Sequence, residues 1–185
     1  MSKKVRVLVP LIAAFLAVGM MSTSALAASP HFKHGGTPVC TITPSGSSAS
    51  VTCTASLTGL GNADLHINVT VSGFAVYQCQ NNGGNTAPGQ NRVLEGPVTA
   101  PTTIPASAIK NGNVTFTTDP ATLTAAPTVT GAEAGCPNPN WTGVNPTLTV
   151  TSIELSIEQG GNTFYDCTVA NASGLTSPVS FPASC

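Results

Sequence analysis

Two polar segments carry the residues best suited to contact a ligand. Residues 79–91 are rich in asparagine, glutamine and glycine, and residues 136–141 end in the only tryptophan of the chain. Amide groups bond to sugar hydroxyls, and an aromatic ring stacks on the apolar face of a sugar. The candidate ligand-binding residues are therefore Trp141, Asn140, Asn85 and Gln90. The alternative, which a single tryptophan favours, is that these segments form turns and Trp141 closes one end of the core.

The sequence offers no residue set that predicts catalysis. A hydrolytic triad needs a histidine between a nucleophile and a carboxylate. His31 and His34 lie near the predicted start of the mature chain, and His66 falls on the polar side of an alternating segment. Glu154 and Glu158 share one face of a strand, but their Cα atoms would be about 13 Å apart, too far for the usual glycosidase pair. We therefore expect a non-enzymatic protein.

Metal binding has weak support. His31 and His34 could bind copper or nickel beside a free amino terminus, but Pro30 removes a backbone amide that a compact site would use. The cysteines lack the close spacing of a zinc site, and calcium would need an aspartate-rich loop that the sequence does not contain. We expect neither a metal nor another cofactor.

The cysteines predict a disulfide framework, because an even number in an exported chain is typical of oxidised pairs. The six cysteines are Cys40, Cys53, Cys79, Cys136, Cys167 and Cys185. A hairpin around the turn at 44–48 places Cys40 directly opposite Cys53. This register predicts the first bond.

The remaining bonds follow from position in the chain. A bond between Cys167 and Cys185 would tie the C-terminus to the last predicted strand. Cys79 then pairs with Cys136 by elimination. That bond would close the longest loop, which removes on the order of 4 kcal/mol of unfolded-state entropy in the chain-entropy model.

The first 27 residues have the layout of a secretory signal peptide. Basic residues precede an apolar run over 7–21, and Ala25 and Ala27 supply the small side chains that cleavage needs. A membrane span needs about 20 uninterrupted apolar residues, and this run is shorter and broken. We therefore assign residues 1–27 to a signal peptide and expect a secreted, extracellular product without a transmembrane segment.

The rest of the chain alternates between apolar and polar residues. Alternation over 49–57 and 65–71 is typical of half-buried strands, and Gly73 permits a bulge after the second. The dipeptide Asn111-Gly112 predicts a two-residue turn before a returning strand at 114–117. No segment predicts a helix convincingly.

The C-terminal part predicts a long hairpin around Gly160-Gly161, with a bulge near 151–152 that keeps both halves of its first strand on the core side. Roughly seven to nine short strands favour an all-β, single-domain antiparallel β-sandwich, immunoglobulin-like and disulfide-stapled. A jelly roll or closed barrel would show similar alternation. We assign residues 38–185 to this domain and 28–37 to a flexible N-terminal lead-in.

Charge excludes nucleic acid as a partner. The mature part keeps three basic and seven acidic residues, so phosphate backbones would be repelled. Charged residues make up 7% of the chain, and solubility must therefore come from hydroxyl and amide groups.

Three strings serve as landmarks: GGNTAPGQN at 83–91, KNGNVTF at 110–116 and AGCPNPNW at 134–141. With the Cys40/Cys53 pair they resemble a group of small secreted β-rich bacterial proteins described as uncharacterised or hypothetical. The resemblance implies a bacterial exported protein and no particular activity. The Cys167/Cys185 pair departs from it.

These observations leave two functional hypotheses. The first is a secreted non-enzymatic protein with a structural or surface-interacting role. The alternative is an extracellular binding module that takes a glycan or a small apolar ligand through the loops around Cys79 and Cys136. The partner in either case is extracellular, and a cell-surface glycan is the candidate.

Overall fold

The computed structural model describes residues 29–185, so the predicted signal peptide, residues 1–27, lies outside the described residues. The strands are β1 (His31–Phe32), β2 (Val39–Ser45), β3 (Ser48–Thr58), β4 (Leu65–Gln80), β5 (Thr86–Pro88), β6 (Val93–Ile104), β7 (Val114–Thr117), β8 (Ala121–Thr124), β9 (Thr128–Thr130), β10 (Thr142–Gln159), β11 (Asn162–Ala170) and β12 (Val179–Ser180). A 3₁₀ turn spans Ala106–Ala108, and helix α1 spans Gly131–Ala134.

The strands form two antiparallel sheets. In the first sheet, β3 pairs along one edge with β1 and β2 and along the other with β7 and β8, while β12 extends the sheet beyond β2. In the second sheet, β4 and β10 pair along their length. The outer edge of β4 holds β5 and β6, and the outer edge of β10 holds β9 and β11. The predicted all-β antiparallel sandwich is confirmed at this level, and its immunoglobulin-like connectivity stays a prediction.

The core lies between the sheets and follows from the alternation in the sequence. Along β3 the buried side chains are Ala49, Val51, Cys53, Ala55 and Leu57, and along β4 they include Leu65, Ile67, Val69 and Val71. These two rows join one cluster with residues of β10 and β11. Each fully buried Val, Leu or Ile contributes about 1.5–3 kcal/mol relative to the exposed side chain.

A bulge in β10 keeps both halves of that strand on the core side. The pairing of β10 with β4 shifts between Val150 and Ser152, which leaves Thr151 without an opposite residue. Val150 and Ile153 are consequently both buried despite their different parity. The pairing of β4 with β6 shifts between Val71 and Gly73. The predicted bulge near 151–152 is confirmed, as is the tight turn at Gly160-Gly161 between β10 and β11. The bulge expected in β4 at Gly73 lies instead in β6, because the two steps from Val71 to Gly73 face the three steps from Val98 to Glu95.

The outward faces carry hydroxyl groups that bond across strands. The Oγ atom of Ser50 lies 2.8 Å from Oγ1 of Thr122, and Oγ of Ser56 lies 2.8 Å from Oγ1 of Thr115. Such pairs stabilise a sheet without charge. No helix within residues 29–185 is long and apolar enough to cross a membrane.

All three predicted disulfides are present. Cys40–Cys53 joins the neighbouring strands β2 and β3 at directly opposite positions. Cys79–Cys136 joins β4 to the segment that follows α1, and Cys167–Cys185 ties the C-terminus to β11.

The N-terminal segment and the partner of β7 differ from the sequence predictions. The segment predicted as a lead-in contains β1, which pairs with the end of β3, and Phe32 packs against the core. A strand of two residues is too short to show periodicity. The Asn111-Gly112 turn is present as a bridge between Lys110 and Asn113, but β7 then pairs with β3 and does not return along the preceding segment.

Candidate functional site

An open groove of 630 Å³ lies beside Trp141, where β9 forms the edge of the second sheet. The residues that line it are Ala126, Thr128, Val129, Thr130, Glu133, Pro139, Trp141 and Thr142. The groove therefore combines one indole ring with a carboxylate and three threonine side chains.

Helix α1 positions the carboxylate through a capping box. The backbone N–H of Glu133 donates to Oγ1 of Thr130 at 3.2 Å. In return, Oε2 of Glu133 accepts from the Thr130 backbone N–H at 2.9 Å and from its hydroxyl at 2.7 Å. Gly135, in the left-handed conformation with φ 67°, ends the helix after one turn. A capping box satisfies backbone donors that such a short helix would otherwise leave unpaired.

The loop before Trp141 is a tight turn packed on Gly131. The Trp141 N–H donates to the Asn138 carbonyl at 3.0 Å. A Cβ atom on Gly131 would lie 2.9 Å from the Asn138 carbonyl oxygen and 3.0 Å from that of Pro139, and would also meet the Trp141 carbonyl. Glycine at this position lets the loop approach the helix closely.

The indole ring of Trp141 is partly buried. It packs against a small second cluster that includes Tyr77, Cys79 and Ala134, while the ring also lines the groove. Gly143 permits this packing, because a Cβ there would lie 2.6 Å from Cγ2 of Val129. Trp141 thus packs on this cluster with part of its surface exposed. Its role in ligand binding stays a prediction.

The electrostatics of the groove come from one group. Glu133 is the only charged residue among those that line it. The hydrogen bonds from the Thr130 side chain and backbone lower the pKa of Glu133 below its ordinary value. The carboxylate is therefore ionised at neutral pH and acts as a hydrogen-bond acceptor.

The other three candidate residues do not line this groove. Asn140 donates its backbone N–H to Oδ1 of Asn138, and Asn85 donates its backbone N–H to Oδ1 of Asn81, both at 2.9 Å. The Gln90 N–H donates to the Ala134 carbonyl at 3.0 Å, which joins its loop to α1. All three side chains are exposed. Their role in ligand binding stays a prediction.

Sequence reasoning missed Thr128, Thr130 and Glu133. The Thr130-x-x-Glu133 pattern is the signature of a capping box, and it precedes Trp141 by a few residues. That signal predicts a helix start at Thr130, but not that the carboxylate of Glu133 lies beside the ring. Thr128 carries no signal of its own, because only the pairing of β9 with β10 brings it to the groove.

Two of the three histidines lie within hydrogen-bond distance of other residues. His31 Nδ1 lies 2.8 Å from the Ser29 carbonyl oxygen, and His66 Nδ1 lies 3.2 Å from Oγ1 of Thr103 on the outer face of the second sheet. Within the described part of the chain, no three histidine, cysteine, aspartate or glutamate side chains gather closely enough to hold a metal ion.

Comparisons with protein families, with curated proteins and with solved structures find no match to this chain.

Proposed function

We propose that this chain is an exported, non-enzymatic binding module that holds a neutral oligosaccharide in the groove beside Trp141. The observation that carries the proposal is the position of the indole ring, which is fixed by core packing on one side and lines the groove with Glu133 on the other. A rigid ring beside hydrogen-bond acceptors suits a sugar, whose apolar face stacks and whose hydroxyls donate.

The charge of the groove favours a neutral ligand. An anionic sugar would meet the ionised Glu133 carboxylate, and none of the lining residues is basic. Both hydrogen bonds from Thr130 go to Oε2 of Glu133, so a wholly apolar ligand would supply no donor to Oε1, at a cost if water were excluded from that oxygen. A neutral sugar avoids both penalties.

The scaffold we propose for this role is an immunoglobulin-like sandwich, supported by two antiparallel sheets on one main core. Three disulfides and the absence of a membrane-spanning helix within residues 29–185 support export. In the broader hypothesis of a structural or surface-interacting protein, this groove would be the contact surface.

The test follows binding to the exported protein by calorimetry and by Trp141 fluorescence, with soluble neutral polysaccharides as probes. Trp141→Ala should weaken binding by about tenfold or more, and Trp141→Phe by less, because a smaller ring still stacks. Leu94→Ala serves as the control, since Leu94 is 84% exposed and does not line the groove. Wild-type affinity in Trp141→Ala, with the fold intact by circular dichroism, would refute the proposal.

A further inference from the structure

Gln78 and Asn145 form an amide pair across β4 and β10. The Nδ2 atom of Asn145 donates to Oε1 of Gln78 at 3.2 Å, and both residues are exposed. Asn145 lies where the pairing of the two strands shifts, between Val144 and Thr147, and has a positive φ of 49°. The bulge turns its amide toward the neighbouring strand.

The pair leaves one donor group and one acceptor free. The bond uses one N–H of Asn145 and the oxygen of Gln78. Neither Nε2 of Gln78 nor Oδ1 of Asn145 makes a hydrogen bond to another described residue. If oxygen and nitrogen are exchanged in both amides, Gln78 donates to Asn145, and the free groups are then the oxygen of Gln78 and the nitrogen of Asn145. A neighbouring donor and acceptor are the complement of a secondary amide, which carries one C=O and one N–H.

Two grooves meet at this pair. One has a volume of 430 Å³ and is bordered by Val76 and Pro88, and the other has a volume of 580 Å³ and is bordered by Pro127. Gln78 and Asn145 line both. The free amide atoms thus lie beside apolar surface that would accept a methyl group.

We propose that Gln78 and Asn145 bind the acetamido group of an N-acetylated amino sugar. The acetamido carbonyl accepts from Nε2 of Gln78, its N–H donates to Oδ1 of Asn145, and its methyl group packs against Val76 and Pro88. A neutral acetamido group also suits a site whose lining contains no charged residue.

A peptide contains the same amide, but the strand edge disfavours it. Binding an extended peptide needs a row of backbone donors and acceptors along an open edge. The neighbouring strand β5 has three residues, and Pro88 at its end has no N–H. One isolated amide fits this site better than a chain of them.

The amide site is separate from the Trp141 groove, because neither of the two grooves at Gln78 and Asn145 shares a lining residue with it. The inference goes beyond the proposed function, and each can fail alone. Trp141→Ala should leave the amide site intact.

The test uses the exported protein, ¹⁵N-labelled, and follows the side-chain amide resonances of Gln78 and Asn145. The probes are an N-acetylglucosamine oligosaccharide, a cello-oligosaccharide of equal length and linkage, and an uncharged acetylated trialanine amide. The cello-oligosaccharide carries a hydroxyl in place of each acetamido group. We expect a saturable shift of both resonances with the first probe only.

Gln78→Glu supplies the discriminating variant. A glutamate keeps an oxygen for Asn145 Nδ2 but removes the Nε2 donor, so affinity should fall by about tenfold. Gln80→Glu is the matched control, with the same charge change two residues along the strand and outside both linings. Equal response to both sugars, a preference for the peptide, or unchanged affinity in a folded Gln78→Glu would each overturn the proposal.

Discussion

The ring of Phe32 meets the ring of Tyr165 edge-on, with centroids 4.8 Å apart and an angle of 89° between the planes. The Tyr165 hydroxyl also donates to the Pro182 carbonyl at 2.8 Å. One tyrosine on β11 therefore contacts both the first strand and the last residues of the chain. The two ends of the described chain are held by the same side chain.

Phe32→Ala should lower the free energy of unfolding by about 2 kcal/mol, less than for a fully buried phenylalanine because Phe32 is only partly buried. The loss combines apolar burial with the edge-to-face contact. Urea denaturation measures it. His31→Ala on the same two-residue strand is the control, since His31 is exposed. A difference below about 0.5 kcal/mol between the variants would mean that β1 contributes little.

The two tyrosines should resist ionisation in the folded protein. Burial raises the pKa of Tyr165 to about 12, and burial and then Glu95 raise that of Tyr77 from 10.0. The neutral phenols therefore contribute stability that is complete below pH 10 and is lost as the pH rises toward about 12. Tyrosinate absorbance should appear at higher pH in native buffer than in concentrated urea.

Tyr165→Phe provides the control for this alkaline loss. Its stability should depend less steeply on pH between pH 10 and about 12, because one of the two shifted groups is absent. Identical tyrosinate titrations in native and denaturing conditions would contradict the prediction.

The Glu133 capping box should make stability depend on pH in the acid range. Thr130 lowers the pKa of Glu133 from 4.5, so the stabilising contribution is present above pH 4.5 and is lost as the pH falls through the folded-state pKa. Glu133→Gln should be less stable than wild type at neutral pH, and the two melting temperatures should converge well below pH 4.5. Glu154→Gln, on the exposed face of β10, controls for the loss of one carboxylate.

Alternation was sufficient to predict β3 and the first part of β4, but not their partners. It did not predict β6, in which Gly96, Pro97 and Pro101 interrupt the pattern. Val51 and Ile67 alternate with polar residues, and burial in the core follows directly. The bulge in β10 was also predictable, because the parity of apolar residues changes between Val150 and Ile153. The partner of β7 was not, since a strand of four residues contains no information about which distant edge it joins.

The candidate site shows the same limit. The tryptophan is evident from the sequence, and the disulfide between Cys79 and Cys136 was predicted by elimination once the other two pairs were assigned. The sequence could not show that Asn85 would use its backbone within a local turn, whereas Glu133 would reach the groove. Whether Glu133 reaches the groove depends on how α1 packs against the loop that carries Trp141, which is a matter of tertiary structure.

The Cys79–Cys136 bond should contribute more stability than Cys40–Cys53. It spans 57 residues, compared with 13, and the chain-entropy model assigns about 4 and about 3 kcal/mol to loops of these lengths. Paired alanine variants compared by urea denaturation measure the difference. Equal losses, or a larger loss for the shorter loop, would show that strain or packing outweighs loop closure.

Gly131→Ala should displace the loop that carries Trp141. The new methyl group would lie 2.9 Å from the Asn138 carbonyl oxygen and 3.0 Å from that of Pro139, and backbone atoms cannot rotate away as a side chain can. We expect a loss of about 1–3 kcal/mol from overpacking, together with a red shift of Trp141 emission as the ring becomes more exposed. Gly83→Ala is the matched control, because its new methyl group would meet only the side-chain ends of Asn81 and Asn85, at 3.3 and 3.6 Å. If Gly131→Ala kept wild-type stability and emission, contact with α1 would not be what positions Trp141, and the ring would have to be held by its packing on Tyr77 and Ala134 alone.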